Sequence, residues 1–271
     1  MDIESNKRFD IYICWWGGKI TNTRKHCIDT FHSNEFKKYF NLHFVTHENL
    51  KNYIVDTHEK TIKFSKCFEY LSPVHKADYF MNYIGYHRGG FSTGIKKMKN
   101  LRKLYNKLID FENSDYYYLG YPITKPYVPQ HEQLEIYKNF HKNKDTLFGF
   151  GYWGVKKHNI ISKIILEKNN KYLNENFDLI KNNKWLHPRD NFNKQWKNIG
   201  NDKYKLIEEH YKWGDEVSTY PITWAKLQGS TISETLVENK KLYKKYISFN
   251  LVNEYQILGS HNPIEEVNIL N

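Results

Sequence analysis

An α/β fold with a mostly parallel central sheet is the architecture this sequence predicts. Three stretches carry that expectation. FDIYICWW (residues 9–16) is a β-rich apolar run closed by Gly17-Gly18, which reads as a strand buried on both faces. Residues 21–33 and then 41–50 supply a helix and a second strand, so the chain opens with a β-α-β unit. SPVHKADYFMNYIGYHRGG (72–90) sets Ala77, Phe80, Met81, Ile84 and Gly85 at helical spacing. Ser72 and Pro73 suit the start of that helix, and Gly89-Gly90 suits its stop, because glycine tolerates the left-handed conformation a helix end requires.

The remaining elements follow in order. Leu42 to Val45 form the second strand, and residues 51–71 hold a short helix or two. A short strand candidate and Lys96-Lys97 come after the glycine pair. KNLRKLYNKLIDFENSD reads as a basic amphipathic segment and a polar turn. YYYLGYPI (116–123) is a central strand candidate, and 124–145 begins as a Pro-rich loop and ends helical. TLFGFGYWGVKK (146–157) has three glycines in a strand-like run, a sign of close approach by another backbone or a ligand. Residues 158–183 read as one amphipathic helix, or two with a break at 168–171. WLHPRDNF (185–192) is a loop holding a ring, a cation and an acid within four residues. YPITWAKLQGSTISETL (220–236) leads into a helix, and YISFNLV is a weak strand in the tail. Without repeats or long linkers, a single domain spanning 1–271 is the simplest organisation.

Composition narrows the partners. The 271 residues are 39% hydrophobic and 17% aromatic, enough for a sizeable core, and the formal net charge is +11. That charge favours anionic partners, although abundant Lys can also be a diffuse, solvated surface. No RNP motif, C2H2 spacing or basic zipper occurs, so nucleic acid is not the expected partner. Cys14, Cys27 and Cys67 have no metal-ligand spacing and suit a reduced, cytoplasmic protein. No apolar run reaches membrane-spanning length, and the polar N-terminus lacks a signal-peptide core. There is no P-loop, no G-x-S-x-G elbow and no H-E-x-x-H helix. GFGYWG (149–154) has dinucleotide-fingerprint spacing, but its aromatic filling and mid-chain position argue against that use.

Candidate chemistry gathers at the strand ends. Trp15 and Trp16 follow the first strand, where open α/β sheets bind ligands, and an indole stacks well on a flat base. Neighbouring strand residues face opposite ways, so one of the two at most lines a site and the other is core. Asp78 lies early in the helix, where a carboxylate complements the N-terminus. A capped core helix followed by a solvated Lys pair accounts for the same pattern.

Four segments together resemble a family: ICWWGGKI (13–20), HKADYFMNYIGYHRGG (75–90), FGFGYWGVKK (148–157), and HPRD (187–190) with YPITW (220–224). Their order and spacing are similar to small GT-A glycosyltransferases of the capsular-polysaccharide and sugar-binding DXD group, found in bacteria and large DNA viruses. The resemblance covers about 11–236. It implies a GT-A-like fold whose residues 1–120 bind a nucleotide sugar and whose residues 121–271 face an acceptor. It also implies a glycosyltransferase moving a sugar from a UDP-linked donor to a glycan hydroxyl. On that reading Trp15 stacks on the uracil, Asp78 holds ribose or sugar hydroxyls, and the diphosphate lies over the turn after Gly90 and near Lys96. His187, Arg189 and Trp224 fall on the acceptor side, and Asp190 is the candidate acid or base.

This sequence departs from the family pattern at three places. Met81 stands where relatives carry Arg, Gly94-Ile95-Lys96 stands where they carry the DXD acids, and Phe150 replaces an Asn. Those acids ordinarily hold Mn²⁺ or Mg²⁺ against the diphosphate. Three accounts remain: Lys96 and Lys97 neutralise the phosphates without metal, another acid such as Asp190 or Asp215 supplies the ligand, or the chain is a non-catalytic relative that binds nucleotide or glycan alone.

Overall fold

The computed structural model describes residues 7–55, 61–122, 147–149, 151–183, 185, 192–200, 203–210, 212–213, 216–217, 220–223, 225–240 and 247–248. Its centre is a six-stranded mixed sheet. In chain order the strands are β1 (Phe9–Cys14), β2 (Phe40–Val45), β3 (Gly90–Thr93), β4 (Tyr118–Leu119), β5 (Tyr152–Val155) and, last in the chain, β10 (Ile247–Ser248). They lie side by side as β10-β4-β5-β3-β1-β2. β1 pairs in parallel with both β2 and β3, β5 runs antiparallel between β3 and β4, and β10 pairs in parallel with β4. The sheet is therefore mixed, with its parallel run in the N-terminal half where the β-α-β reading places it.

Helices cover both faces, because β1 alternates. Phe9, Ile11 and Ile13 face a cluster made with Cys27, Phe31, Phe36, Leu101, Leu104 and Leu108. These belong to α1 (Asn22–Phe31), α2 (Asn34–Tyr39) and α4 (Leu101–Glu112). Tyr12 and Trp16 face the opposite cluster, with Tyr79, Phe80, Ile84, Ile161, Ile165 and Ile232. That layer contains α3 (Pro73–His87), α5 (Ile160–Glu175), α6 (Phe177–Asn182) and α7 (Thr231–Glu238). A single π-helical turn, Lys226–Ser230, leads into α7.

Local chemistry accounts for these limits. Ser72 caps α3, its hydroxyl accepting from the His75 N–H at 3.4 Å, and Pro73 occupies the first helical position. Gly89 and Gly90 take φ of +71° and +103°. A Cβ on Gly90 would lie 2.9 Å from both the Asp10 carbonyl oxygen and the Tyr12 ring, so the glycine lets β3 close onto β1. On β5, a Cβ on Gly154 would lie 3.3 Å from that of Leu119, and a Cβ on Gly149, ahead of the strand, would overlap the Tyr121 ring. The close approach foreseen for this glycine-rich stretch is thus made by neighbouring side chains of the protein itself.

Three sequence expectations shift. The sequence leaves 158–183 as one helix or as two broken at 168–171; the chain forms two, with the break moved to Asn176, so that α5 runs on to Glu175 and the next helix starts at Phe177. Asn169 is held inside the helix because its amide donates to the Leu227 carbonyl oxygen at 2.8 Å, which offsets its weak helix preference. The strand foreseen at 116–123 shrinks to Tyr118–Leu119, since Gly120 crosses directly against the Phe148 side chain. Two antiparallel pairs, β6 (Phe192–Gly200) with β7 (Lys203–His210) and β8 (Lys212–Trp213) with β9 (Glu216–Val217), occupy a stretch in which the sequence suggested no element. The Pro-rich segment foreseen at 124–145 lies outside the described residues.

Candidate functional site

β1, β2 and β3 are parallel, so their carboxyl ends share one edge of the sheet. α1 starts at that edge, directly after Trp15-Trp16-Gly17-Gly18. α3 precedes β3 and packs back along it, so its first turns return to the same edge. Contact between the rings of Trp16 and Phe80, 5.6 Å apart, fixes that placement. The edge is therefore built from the ends of three strands and the starts of two helices.

The two tryptophans part there. Trp15 turns toward the α1/α4 layer and is half-buried. Its indole folds over the glycine turn, with Nε1 donating to the Gly18 carbonyl oxygen at 2.7 Å. A Cβ on Gly17 would come within 3.3 Å of the ring. The Arg24 guanidinium lies 5.9 Å from the ring centroid and donates to the Ile95 carbonyl oxygen at 2.7 Å. Arg24 thereby joins the indole to the loop after β3. Lys97 in that loop and Arg24 both act on the Cys27 thiol, partly offsetting the rise that burial gives its pKa. Lys96 is half-buried beside them. An aromatic ring, a guanidinium and a lysine pair thus form one cationic corner.

Trp16 turns the other way and is buried among His47, Phe68 and Phe80. Its Nε1 has no hydrogen-bond partner. It lies close enough to Cys14 to favour the thiolate, but burial dominates and pushes that thiol up to about 12. Asp78 faces Cys14 from α3, and its charge further disfavours the thiolate. Protein packs around the Asp78 carboxyl on nearly every side, although part of its area stays accessible. Burial, uncompensated by any cation or donor among the described residues, pushes it up to about 8. At neutral pH the group is mostly a neutral carboxylic acid, able both to donate and to accept a hydrogen bond. Cys14, Trp16 and Asp78 therefore bring three under-used polar groups to one side of the β1 end.

A third group of residues ties the later chain to this edge. His75 Nε2 lies 3.0 Å from the Thr223 carbonyl oxygen, which can only accept, so that nitrogen carries the proton. Nδ1 then accepts from the Ser72 and Tyr220 hydroxyls, at 3.0 and 3.2 Å. The Tyr220 oxygen in turn accepts from the Ser72 backbone N–H at 3.0 Å. Two turns beyond His75, Asn82 donates to the carbonyl oxygens of Asp78 and Leu227 at 3.1 and 2.7 Å. Segment 220–227 is thus clamped along the first turns of α3.

The expected site residues distribute as follows. Trp15, Asp78 and Lys96 belong to the same edge, with Trp15 and Asp78 on opposite sides of the β1 end. Gly90 does not join them: it opens β3, at the other end of that strand, and its role is the close packing on Asp10 and Tyr12. His187, Arg189, Asp190 and Trp224 lie outside the described residues, as do Phe150 and Asp215. The sequence reading missed Arg24, Cys14, His75 and Tyr220. Arg24 had one usable signal, its position three residues after the helix cap Thr21. The contacts of His75 with residues 145 and 148 positions away had none. No group of three or more His, Cys, Asp or Glu among the described residues could hold a metal ion. The Gly94-Ile95-Lys96 turn and a largely neutral Asp78 do not suit a divalent cation.

These features define a mixed α/β protein in which β1, β2 and β3 end on one edge of a six-stranded sheet. No family model, curated protein or solved structure matches the chain. No helix among the described residues is long and apolar enough to cross a membrane.

Proposed function

We propose that this protein transfers a sugar from a nucleotide donor, UDP-linked, to a hydroxyl of a glycan acceptor. The observation that carries the reading is the corner formed by Trp15, Arg24 and the Lys96–Lys97 turn, with Asp78 across the end of β1. The indole offers its plane to the base. Lys96 and Lys97 offer charge to a diphosphate without a metal, a role for which an ammonium is chemically suited. Asp78, neutral and part-accessible, pairs with hydroxyls of ribose or sugar as donor and acceptor at once. In the reaction the anomeric carbon–oxygen bond to the diphosphate breaks and a bond to the acceptor oxygen forms. Asp190, assigned from sequence alone, takes the acceptor proton. The departing diphosphate leaves with its charge balanced by the lysines.

The Gly94-Ile95-Lys96 turn, where glycosyltransferases of this kind carry metal-binding acids, favours one second reading: a non-catalytic relative that binds nucleotide or glycan.

Thermal unfolding of the full chain with UDP separates the two from an unrelated function. A ligand at 100 times its Kd raises stability by about 2.7 kcal/mol. We expect UDP to raise the midpoint equally with EDTA and with Mn²⁺, and UDP-sugar hydrolysis to accompany it. Trp15→Ala should weaken UDP by about 1–3 kcal/mol, the usual worth of a base stacked on an aromatic ring. UDP binding without turnover selects the second reading. No midpoint shift with UDP, GDP or CDP removes both.

A further inference from the structure

We infer that the loop before α4 and the first turns of that helix form a docking surface for an anionic lipid membrane. The observation is a segregation of charge. Between Asp78 and Asp110 the chain has no acidic residue, while Arg88, Lys96, Lys97, Lys99, Arg102, Lys103 and Lys107 fall in that interval. Five of these cations lie within KKMKNLRK, residues 96–103. Lys97, Lys99, Arg102 and Lys103 are exposed. No carboxylate among the described residues forms an ion pair with Lys97, Lys99 or Arg102.

The fold gives this cluster a definite form. Leu101, Leu104, Leu108 and Phe111 are buried in the core, so α4 is anchored by its apolar stripe and turns Arg102 and Lys103 outward. The preceding loop is pinned to α1 by the Met98 N–H, which donates to the Thr30 hydroxyl at 3.3 Å. The cations therefore sit on a fixed support. They are also badly placed for the stability of α4. Arg102 and Lys103 occupy the first turn, where positive charge opposes the helix dipole. Asn100 precedes the helix at φ +50° and its side chain makes no capping hydrogen bond to α4. A surface partner of opposite charge would offset that arrangement.

The chemistry of the segment favours lipid over nucleic acid. Single strands are held by exposed aromatic rings between cations. Here the one aromatic of the cationic stretch, Tyr105, is turned inward against Phe9, Tyr39 and Phe40. A lipid headgroup layer asks only for clustered positive charge, and four to eight Lys or Arg on an amphipathic helix are the usual signature. With its leucines all buried, the segment has nothing to insert, so attachment is electrostatic and reversible by salt. The carboxyl edge of the sheet lies beside this loop, so docking would bring the Trp15 corner to the membrane surface.

Co-sedimentation of the full chain with vesicles tests this directly. Vesicles of phosphatidylcholine with phosphatidylserine should bind at low ionic strength and release at high salt, whereas pure phosphatidylcholine should not bind. Lys99→Glu with Arg102→Glu should weaken binding by roughly 25-fold or more, from two cations worth about fivefold each near such a surface. The same double variant should hold or raise the thermal midpoint, because acids suit the first turn of a helix. UDP affinity should be unchanged in it, so failure of the lipid proposal and failure of the donor proposal are read separately. Equal sedimentation with both vesicle types would overturn the inference. So would undiminished binding by the double variant, or binding to single-stranded oligonucleotides with none to vesicles.

Discussion

Asp78 shows what burial does to one carboxyl. Facing Cys14 and surrounded by protein, it holds its proton up to about pH 8, against 3.8 when free. The folded state thus binds a proton that the unfolded chain has already released above pH 4. Its contribution is fully present below about pH 4 and is lost as pH rises through about 8, by a few kcal/mol in order of magnitude. Asp78→Asn keeps the shape and removes the ionisation. Its thermal midpoint should gain on the wild type steadily between pH 5 and pH 9. Parallel curves over that range would mean the carboxyl is freely solvated. The acid's place in the helix was legible from sequence, because capping and periodicity are local. Its neutrality was not, because that depends on burial under parts of the chain distant in sequence.

Among the elements, the turn from α3 into β3 is set by backbone geometry. Gly90 combines a left-handed φ with a β1 carbonyl oxygen where a Cβ would stand. Gly90→Ala should cost about 1–3 kcal/mol, through strain and displacement of β1. Gly94→Ala, where nothing among the described residues lies within 4 Å, should stay within about 0.5 kcal/mol. Urea midpoints of the two variants check the pair; equal effects would contradict the geometry. The glycine pair illustrates how sequence misleads about roles. It marks the helix stop correctly, yet it was placed beside the donor, while the packing assigns Gly90 to strand closure. The shortness of β4 and the place of the break after α5 escape the sequence for a related reason. Gly120 against Phe148 and Asn169 on the Leu227 carbonyl are tertiary contacts that override local preference.

For the molecule as a whole, the N-terminal layers and the segment near residue 220 are joined through Tyr220. Its hydroxyl serves the Ser72 N–H and His75 Nδ1 together. Tyr220→Phe strands a buried donor at the start of α3 and should lower stability by about 1–3 kcal/mol. A change under 0.5 kcal/mol in chemical unfolding would show that the hydroxyl is replaceable. The α/β class was readable because a buried strand and an amphipathic helix each carry their own period. The clamp was not, since it joins residues with no shared pattern.

The alternation along β1 has one more consequence. Odd-numbered residues belong to one helical layer and even-numbered residues to the other, and the strand ends with Trp15 committed to the first and Trp16 to the second. A small molecule reaching from the indole of Trp15 to the carboxyl of Asp78 has to straddle the tip of that strand. Its arrival would act as a rivet through two otherwise separate cores, and both layers would melt later and more nearly in step.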